Sequence, residues 1–290
     1  MTSFEHILYE TPSPHVARIV LNRLSSRNAQ DTKLLYELND AFDIAAQDDE
    51  IKVIILAANG PHFSSGHDLR ESAEDGVAAI VDHGVVGTWC GFGCAGAEAQ
   101  MAREKELYVG LSERWRNIPK PTIAAVQGRC IMGGLMLVWP CDIIMAAEDA
   151  QFVDHAVSFG VGGVEYFAHP WELGPRKAKE MLFTGDWISA DEAYRLGMVN
   201  HVVPVDELAD RTLAMARKIA TKGRFALKLA KESVNSMEDV QGRVTAINNA
   251  FALHQLAHTH NLAVHGLLLD PTGLPAETAR AVAGGEHSRP

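Results

Sequence analysis

GRCIMGGLMLVWPCD, residues 128–142, is the stretch from which the fold is read. Two adjacent glycines, Gly133 and Gly134, lie near the start of an apolar run over residues 131–139 and open what reads as a helix. Glycine is about 1 kcal/mol worse than alanine in a helix, so its place here needs a reason other than propensity. Glycine admits unusual backbone angles and close approach of a ligand to the chain. A helix N-terminus presents free N–H groups and the positive end of the helix dipole.

Working outward, Thr122–Val126 (TIAAV) reads as a strand before this turn, with Pro119 and Pro121 ahead of it, and residues 143–146 as a strand after it. Val16–Leu21, residues 53–56 and residues 199–203 are further β-branched or aliphatic strand runs. Helical patterns lie between them at residues 32–46, 178–182 and 190–196, the first with Leu34, Leu35, Leu38, Ala41, Phe42 and Ala45 on one face. This order predicts an α/β fold. After Pro204 the texture changes to amphipathic helices at 206–222, 225–235 and 244–260 with no strand signal. The expected division is a core of residues 1–205 and a helical module of residues 206–290. The module's apolar faces need a partner, either the core or another subunit. Residues 76–110 fit neither pattern: GVAAIVDHGVVGTWCGFGCAG (76–96) holds six glycines and little periodicity. A long loop is expected there, of the kind that is either a lid or disordered.

The chain has 290 residues, 47% apolar and 22% charged, with a net charge of -11. That is ordinary globular composition. Without a basic stripe to neutralise phosphates, nucleic acid is not an expected partner; a local site for an anionic small molecule stays open. The opening MTSFEHILYETPSPH carries acids and no signal-peptide pattern. The run at 131–139 is far short of the roughly 20 residues a membrane span needs, so no membrane is expected. Four cysteines, Cys90, Cys94, Cys130 and Cys141, do not make a disulfide framework in a chain this long. A cytoplasmic protein with free thiols is expected.

Most short motifs carry little chemistry. Gly91-Phe-Gly93-Cys-Ala-Gly96 matches GxGxxG, but a dinucleotide site needs a strand before it and a helix opening on it; a flexible loop is the better reading and an oxidoreductase the weaker one. Cys90 and Cys94 lack a second pair at zinc spacing, and no metal site is expected. His254, His258 and His260 can place two imidazoles on one helix face; with no carboxylate nearby in sequence, a solvated or interface face is expected. Two strand-to-glycine loops say more: FSSGHDL (63–69) after the strand at 53–56, and Cys130-Ile-Met-Gly133-Gly134 after Thr122–Val126. Two N–H groups converging from such loops would hold a developing oxyanion.

These loops resemble the enoyl-CoA hydratase/isomerase, or crotonase, superfamily. The resemblance runs over residues 16–231. It rests on Asn22-Arg23 with Arg27-Asn28-Ala29, on FSSGHDL, on KPTIAAVQG with Gly133-Gly134, on Cys141-Asp142-Ile143-Ile144, on AQF (150–152) and on Gly160. It continues through LFTGDWISADEAYRLGMVNHVVP (182–204) and AKESVN (230–235). The resemblance implies a β/β/α superhelix with a helical C-terminal trimerisation module, assembled as a homotrimer or hexamer. It also implies an acyl-CoA thioester substrate of fatty-acid metabolism, with coenzyme A as part of the substrate and no separate cofactor. The implied oxyanion donors are the backbone N–H groups of His67 and Gly133, the side chain of His67 needing no role. Ser26, Arg27, Ala29, Ser65, Gly66, Asp68 and Leu69 would lie along the substrate. Ile131, Met132, Gly134, Met136, His155, Ala156 and Val164 would line the rest of its pocket, Gly134 leaving room for the ligand.

The departures limit the chemistry. Hydratases of this family carry glutamates where this chain has Met136 and Ala156. Hydration needs one group to activate water and one to deliver a proton, and neither residue can do so. Glu165 in GVGGVEYFAHPWELG (160–174) is the best remaining acid, with Asp154 and His155 as second choices. Glu165 is read either as the acid/base or as a structural partner of Arg176 or His169; Asp154 reads better as holding a turn. One acid/base suits double-bond isomerisation better than hydration. The other reading of the empty positions is an acyl-CoA binder or carrier without catalysis.

Overall fold

Aliphatic runs build the sheet, and their alternation gives it two buried faces. The computed structural model describes residues 4–274; the remainder of the expected C-terminal module, residues 275–290, lies outside the described residues. In chain order the strands are β1 (Ile7–Ser13), β2 (Val16–Leu21), β3 (Val53–Ala58), β4 (Thr122–Val126), β5 (Arg129–Ile131), β6 (Ile143–Ala147), β7 (Gln151–Val153), β8 (Ile188–Ser189) and β9 (His201–Val203). A six-stranded sheet runs β1-β2-β3-β4-β6-β9, and a small sheet runs β5-β7-β8. The large sheet is parallel apart from the β1–β2 pair. β1 has no counterpart in the sequence reading. It is an edge strand of mixed burial containing Pro12, so its alternation is weak.

The helices are α1 (Thr32–Gln47), α2 (Ala73–His83), α3 (Ala97–Glu104), α4 (Leu111–Arg116), α5 (Gly133–Val138), α6 (His169–Thr184), α7 (Ala190–Leu196), α8 (Leu208–Ala220), α9 (Arg224–Val240) and α10 (Arg243–His265). Because strand side chains alternate, Ile54, Leu56, Ala124, Val126 and Ala146 face the main core with α1 and α5. Val53, Ile55, Ile123, Ala125 and Met145 face the other way, against Leu208, Ala216 and Ala220 of α8.

The segment 76–110 corrects the sequence reading. It is not one long loop: α2 and α3 lie in it, and a π-helical turn over Lys105–Gly110 joins α3 to α4. Apart from Gly76 inside α2, the glycines of residues 76–96 fall between these two helices, where they hid the periodicity. Gly91–Gly96 is irregular chain with no strand leading into it, as expected.

The three helices after Pro204 differ in how they are held. α8 buries its apolar face on the sheet. α9 has no buried residue. Polar ties hold it, Lys231 to Asp142 at 2.9 Å and Glu238 to Arg116 at 2.9 Å. Its Phe225 and Val240 are 71% and 86% exposed. α10 returns across α3 and buries Ile247, Phe251, His254 and His258.

Candidate active site

The site begins where the two glycine loops are stitched together. Ser64 bridges Cys130 in parallel register, and Ile131 N–H donates to Ser64 O at 3.0 Å. A second bridge pairs Gln30 with His67: Gln30 N–H donates to Gly66 O at 2.8 Å and Asp68 N–H to Gln30 O at 2.9 Å. A residue spanned by two such parallel bonds points its own N–H to the opposite side. The His67 N–H therefore faces away from Gln30, and among the described residues neither it nor the Gly133 N–H has a hydrogen-bond partner.

Backbone strain brings the two groups together. Gly66 sits at φ +88°, where a Cβ would lie 2.9 Å from Ile131 O and 3.3 Å from Gly133 N. Only glycine fits that crossing. Met132, at φ 45° and ψ -111°, turns the chain from β5 into α5. A non-glycine residue held there costs about 1–3 kcal/mol, and such outliers cluster at functional sites. Gly134 has a different reason from the one expected. A Cβ there would meet Cys130 Sγ at 3.1 Å and Ser64 O at 3.2 Å. It keeps α5 close to the Ser64–Cys130 crossing; ligand space is not what it supplies.

The imidazole of His67 has a place that the sequence reading missed. Its Nε2 is 3.2 Å from Glu165 Oε2, and its ring stacks on Tyr108 at 4.0 Å. Its Nδ1 is buried without a partner among the described residues. A Cβ on Gly133 would lie 2.9 Å from that Nδ1, so the free ring nitrogen sits beside the Gly133 backbone. Burial works against protonating this ring, but the charge and hydrogen bond of Glu165 outweigh it and raise its pKa. Burial likewise tends to raise Glu165, and the charges of His67 and His254 reverse this and hold it low.

Glu165 is carried by the turn after β7, and Asp154 fixes that turn. Asp154 accepts from Ala156 N–H at 2.8 Å, from Val164 N–H at 2.9 Å and from His169 Nε2 at 2.8 Å. Asp154 thus holds the turn and takes His169, leaving Glu165 to His67. Neither Arg176 nor His169 pairs with Glu165. His155 turns edge-on to Trp187 at 5.8 Å. Met136 and Ala156 are buried, and Met136 Sδ accepts from Tyr166 N–H at 3.4 Å. Met136 and Val164 pack around the Glu165 turn.

The remaining expected residues form one rim. Ser65 N–H donates to Arg27 O at 3.1 Å and Ser65 Oγ to Ser26 O at 3.3 Å. Arg27, at φ 53°, and Leu69 are exposed, and Ala29 is buried beneath them. The Asp68 carboxylate is committed to Arg70 and Arg23, which hold it well below the usual range; it braces the rim.

The His254/His258 expectation is corrected. Both rings are buried, and a carboxylate 150 residues away in sequence meets them: Glu104, at the end of α3, lies 3.7 Å from His254 Nε2 and 3.3 Å from His258 Nε2. The i, i+4 spacing was visible in sequence. Its partner was not, because Glu104 lies in the segment read as a loop.

This geometry has close relatives. The enoyl-CoA hydratase/isomerase family model matches residues 12–90 and 90–266. A putative enoyl-CoA hydratase, EchA13 of Mycobacterium tuberculosis, is 46% identical over 265 residues, covering 89% of this chain and 82% of its own. A crystal structure of a probable enoyl-CoA hydratase from Mycobacterium thermoresistibile is 48% identical, with a TM-score of 0.83 over 91% of this chain and 99% of that one. An enoyl-CoA hydratase/isomerase structure from Xanthobacter autotrophicus Py2 is 32% identical, with a TM-score of 0.74 over 96% of this chain and 97% of that one. No helix among the described residues is long and apolar enough to cross a membrane. The crossed loops, the free N–H pair and these matches lead to one conclusion: the chain belongs to the enoyl-CoA hydratase/isomerase, or crotonase, family of enzymes.

Proposed function

We propose that this protein moves a proton on an acyl-CoA thioester, using the N–H groups of His67 and Gly133 to hold the enolate oxygen and the imidazole of His67 to carry the proton. One observation carries the proposal: the buried, unpartnered Nδ1 of His67 beside Gly133. With Nε2–H donated to Glu165, Nδ1 presents a lone pair on the side of the oxyanion donors. It takes a proton from a carbon next to the thioester carbonyl or its vinylogous position, and the charge that develops moves onto the oxygen. One such backbone donor is worth about 2.7–4 kcal/mol of barrier. Returning the proton from the same nitrogen to a different carbon shifts the double bond. Hydration asks for a second group, and Met136 and Ala156 supply none. Isomerisation-type chemistry is therefore favoured, although EchA13 carries a hydratase name. Glu165 acts through His67: it orients the ring by accepting Nε2–H and raises the basicity of Nδ1.

Ser26, Arg27, Ala29 and Ser65–Leu69 form the rim along which the coenzyme A portion lies. The exposed apolar residues of α9 make it the contact through which a homotrimer or hexamer forms, with α8 anchoring the 206–290 module to the 1–205 core. Exposed apolar surface of this kind marks interfaces. The test is a comparison of a β,γ-enoyl-CoA with an α,β-enoyl-CoA. Double-bond migration faster than hydration is expected, and hydration as the faster reaction contradicts the proposal.

A further inference from the structure

We infer that Glu104, His254 and His258 form a divalent transition-metal site, with zinc the best-fitting ion, buried between α3 and α10. His254 Nδ1 is 2.8 Å from Gly163 O, and His258 Nδ1 is 2.7 Å from Leu268 O. A carbonyl only accepts, so both Nδ1 atoms carry the hydrogen. This fixes the tautomers and turns both Nε2 atoms toward Glu104. Neither Nε2 has a hydrogen-bond partner among the described residues. Metal-binding histidines are held in this way, one ring nitrogen on a backbone carbonyl and the other on the ion.

The distances fit. One donor atom from each of the three residues lies within 4.8 Å of the others. Two ligands about 2.1 Å from a tetrahedral zinc lie about 3.4 Å apart; Glu104 Oε1 is 3.3 Å from His258 Nε2 and Glu104 Oε2 is 3.7 Å from His254 Nε2, so the carboxylate presents one oxygen to each imidazole. The remaining polar contacts of Glu104 are the side-chain amides of Gln255 and Gln100, which orient its carboxylate.

Charge points the same way. Glu104 and Glu165 are 4% and 5% exposed, and both face His254 Nε2, Glu165 Oε1 at 3.6 Å. Among the described residues no lysine or arginine pairs with either carboxylate. Buried charges are paired or bind metals, and a divalent cation at the mouth of the two Nε2 lone pairs would compensate both. Two imidazoles and one carboxylate suit zinc, cobalt or iron better than magnesium or calcium. The site adjoins the proton-handling side chains through Glu165, which meets His254 Nε2 at 3.6 Å and His67 Nε2 at 3.2 Å, so its test reads metal binding directly and not turnover.

Calorimetric titration of chelator-treated protein with Zn2+ alone tests it. One Zn2+ per chain is expected, weakened at least tenfold in Glu104→Gln and in His258→Gln, with circular dichroism showing that each variant is folded. Co2+ added to the wild-type chain is expected to give the intense visible absorption of a tetrahedral site, displaced by Zn2+; this reading stands even if a variant does not fold. No binding, undiminished binding in both folded variants, or only the weak octahedral Co2+ spectrum overturns the site and leaves protonated imidazoles as the compensating charges.

Discussion

The two halves of the candidate site are built differently. The half proposed to hold the oxyanion is backbone: two N–H groups fixed by parallel bridges at Gln30–His67 and Ser64–Cys130. The half proposed to move the proton is side chains from distant segments, His67, Tyr108 and Glu165, with Glu104 and His254 behind them. A backbone site asks for glycine where chains cross. A side-chain site asks only that partners meet after folding. The first kind fixes its own position through the chain crossing; the second depends on partners brought from distant segments, with Met136 and Ala156 buried beside it.

This difference can be broken from either side. The largest effect is expected from His67→Gln, which keeps the backbone donor and removes the ring. General acid–base catalysis contributes about 10²–10⁴-fold, so kcat is expected to fall by that much, with KM for the acyl-CoA changing little. A fall in KM affinity with kcat preserved would place the ring in binding instead. Next is Gly133→Pro, which deletes one N–H and costs about 10²–10³-fold in kcat. Its companion, Gly133→Ala, keeps the N–H but sets a Cβ 2.8 Å from His67 Cε1. The alanine variant is expected to lose activity by displacing the ring; full activity would separate the ring from the donors.

Glu165→Gln sharpens the side-chain half. It is expected to lower turnover by about 10-fold or more, within the range of acid–base effects, and to move a pH limb. Glu165 raises the His67 pKa, and Tyr108, Glu104 and Asp154 are the other titratable groups around that ring. As base, His67 must be unprotonated, so the acid limb of kcat/KM is expected above the ordinary histidine value of about 6.5. Removing the negative charge shifts the limb to lower pH; an unmoved limb assigns it to another group. The smallest effect on chemistry is expected from paired Phe225→Ser and Val240→Ser substitutions on α9. They are expected to shift the proposed oligomer toward monomer in sedimentation while leaving the circular dichroism unchanged, since neither side chain is buried within the chain. An unchanged sedimentation profile counts against α9 as the contact.

The same contrast explains what the sequence disclosed. β2, β4 and α7 match their expected bounds, and α1 and α10 extend only by short end turns, because periodic burial writes itself locally. The Gly66 and Gly133 loops were legible because only glycine allows their crossing. The Glu165 pairing was not: its partner is 98 residues away, and Arg176 and His169 were nearer in sequence. α2 and α3 were hidden by the glycines between them, and with them Tyr108 and Glu104. His254 and His258 announced a shared face by spacing, but nothing local said which side was buried.

The central claim is that the His67 ring carries the proton while its own N–H and that of Gly133 hold the enolate. The direct measurement is exchange of the acidic carbon-bound proton of an acyl-CoA for deuterium in D2O, followed by mass spectrometry. The wild-type chain is expected to exchange it, Glu165→Gln more slowly, and His67→Gln about 10²–10⁴-fold more slowly, with coenzyme A ester binding retained in all three. Exchange by His67→Gln at the wild-type rate would contradict the account.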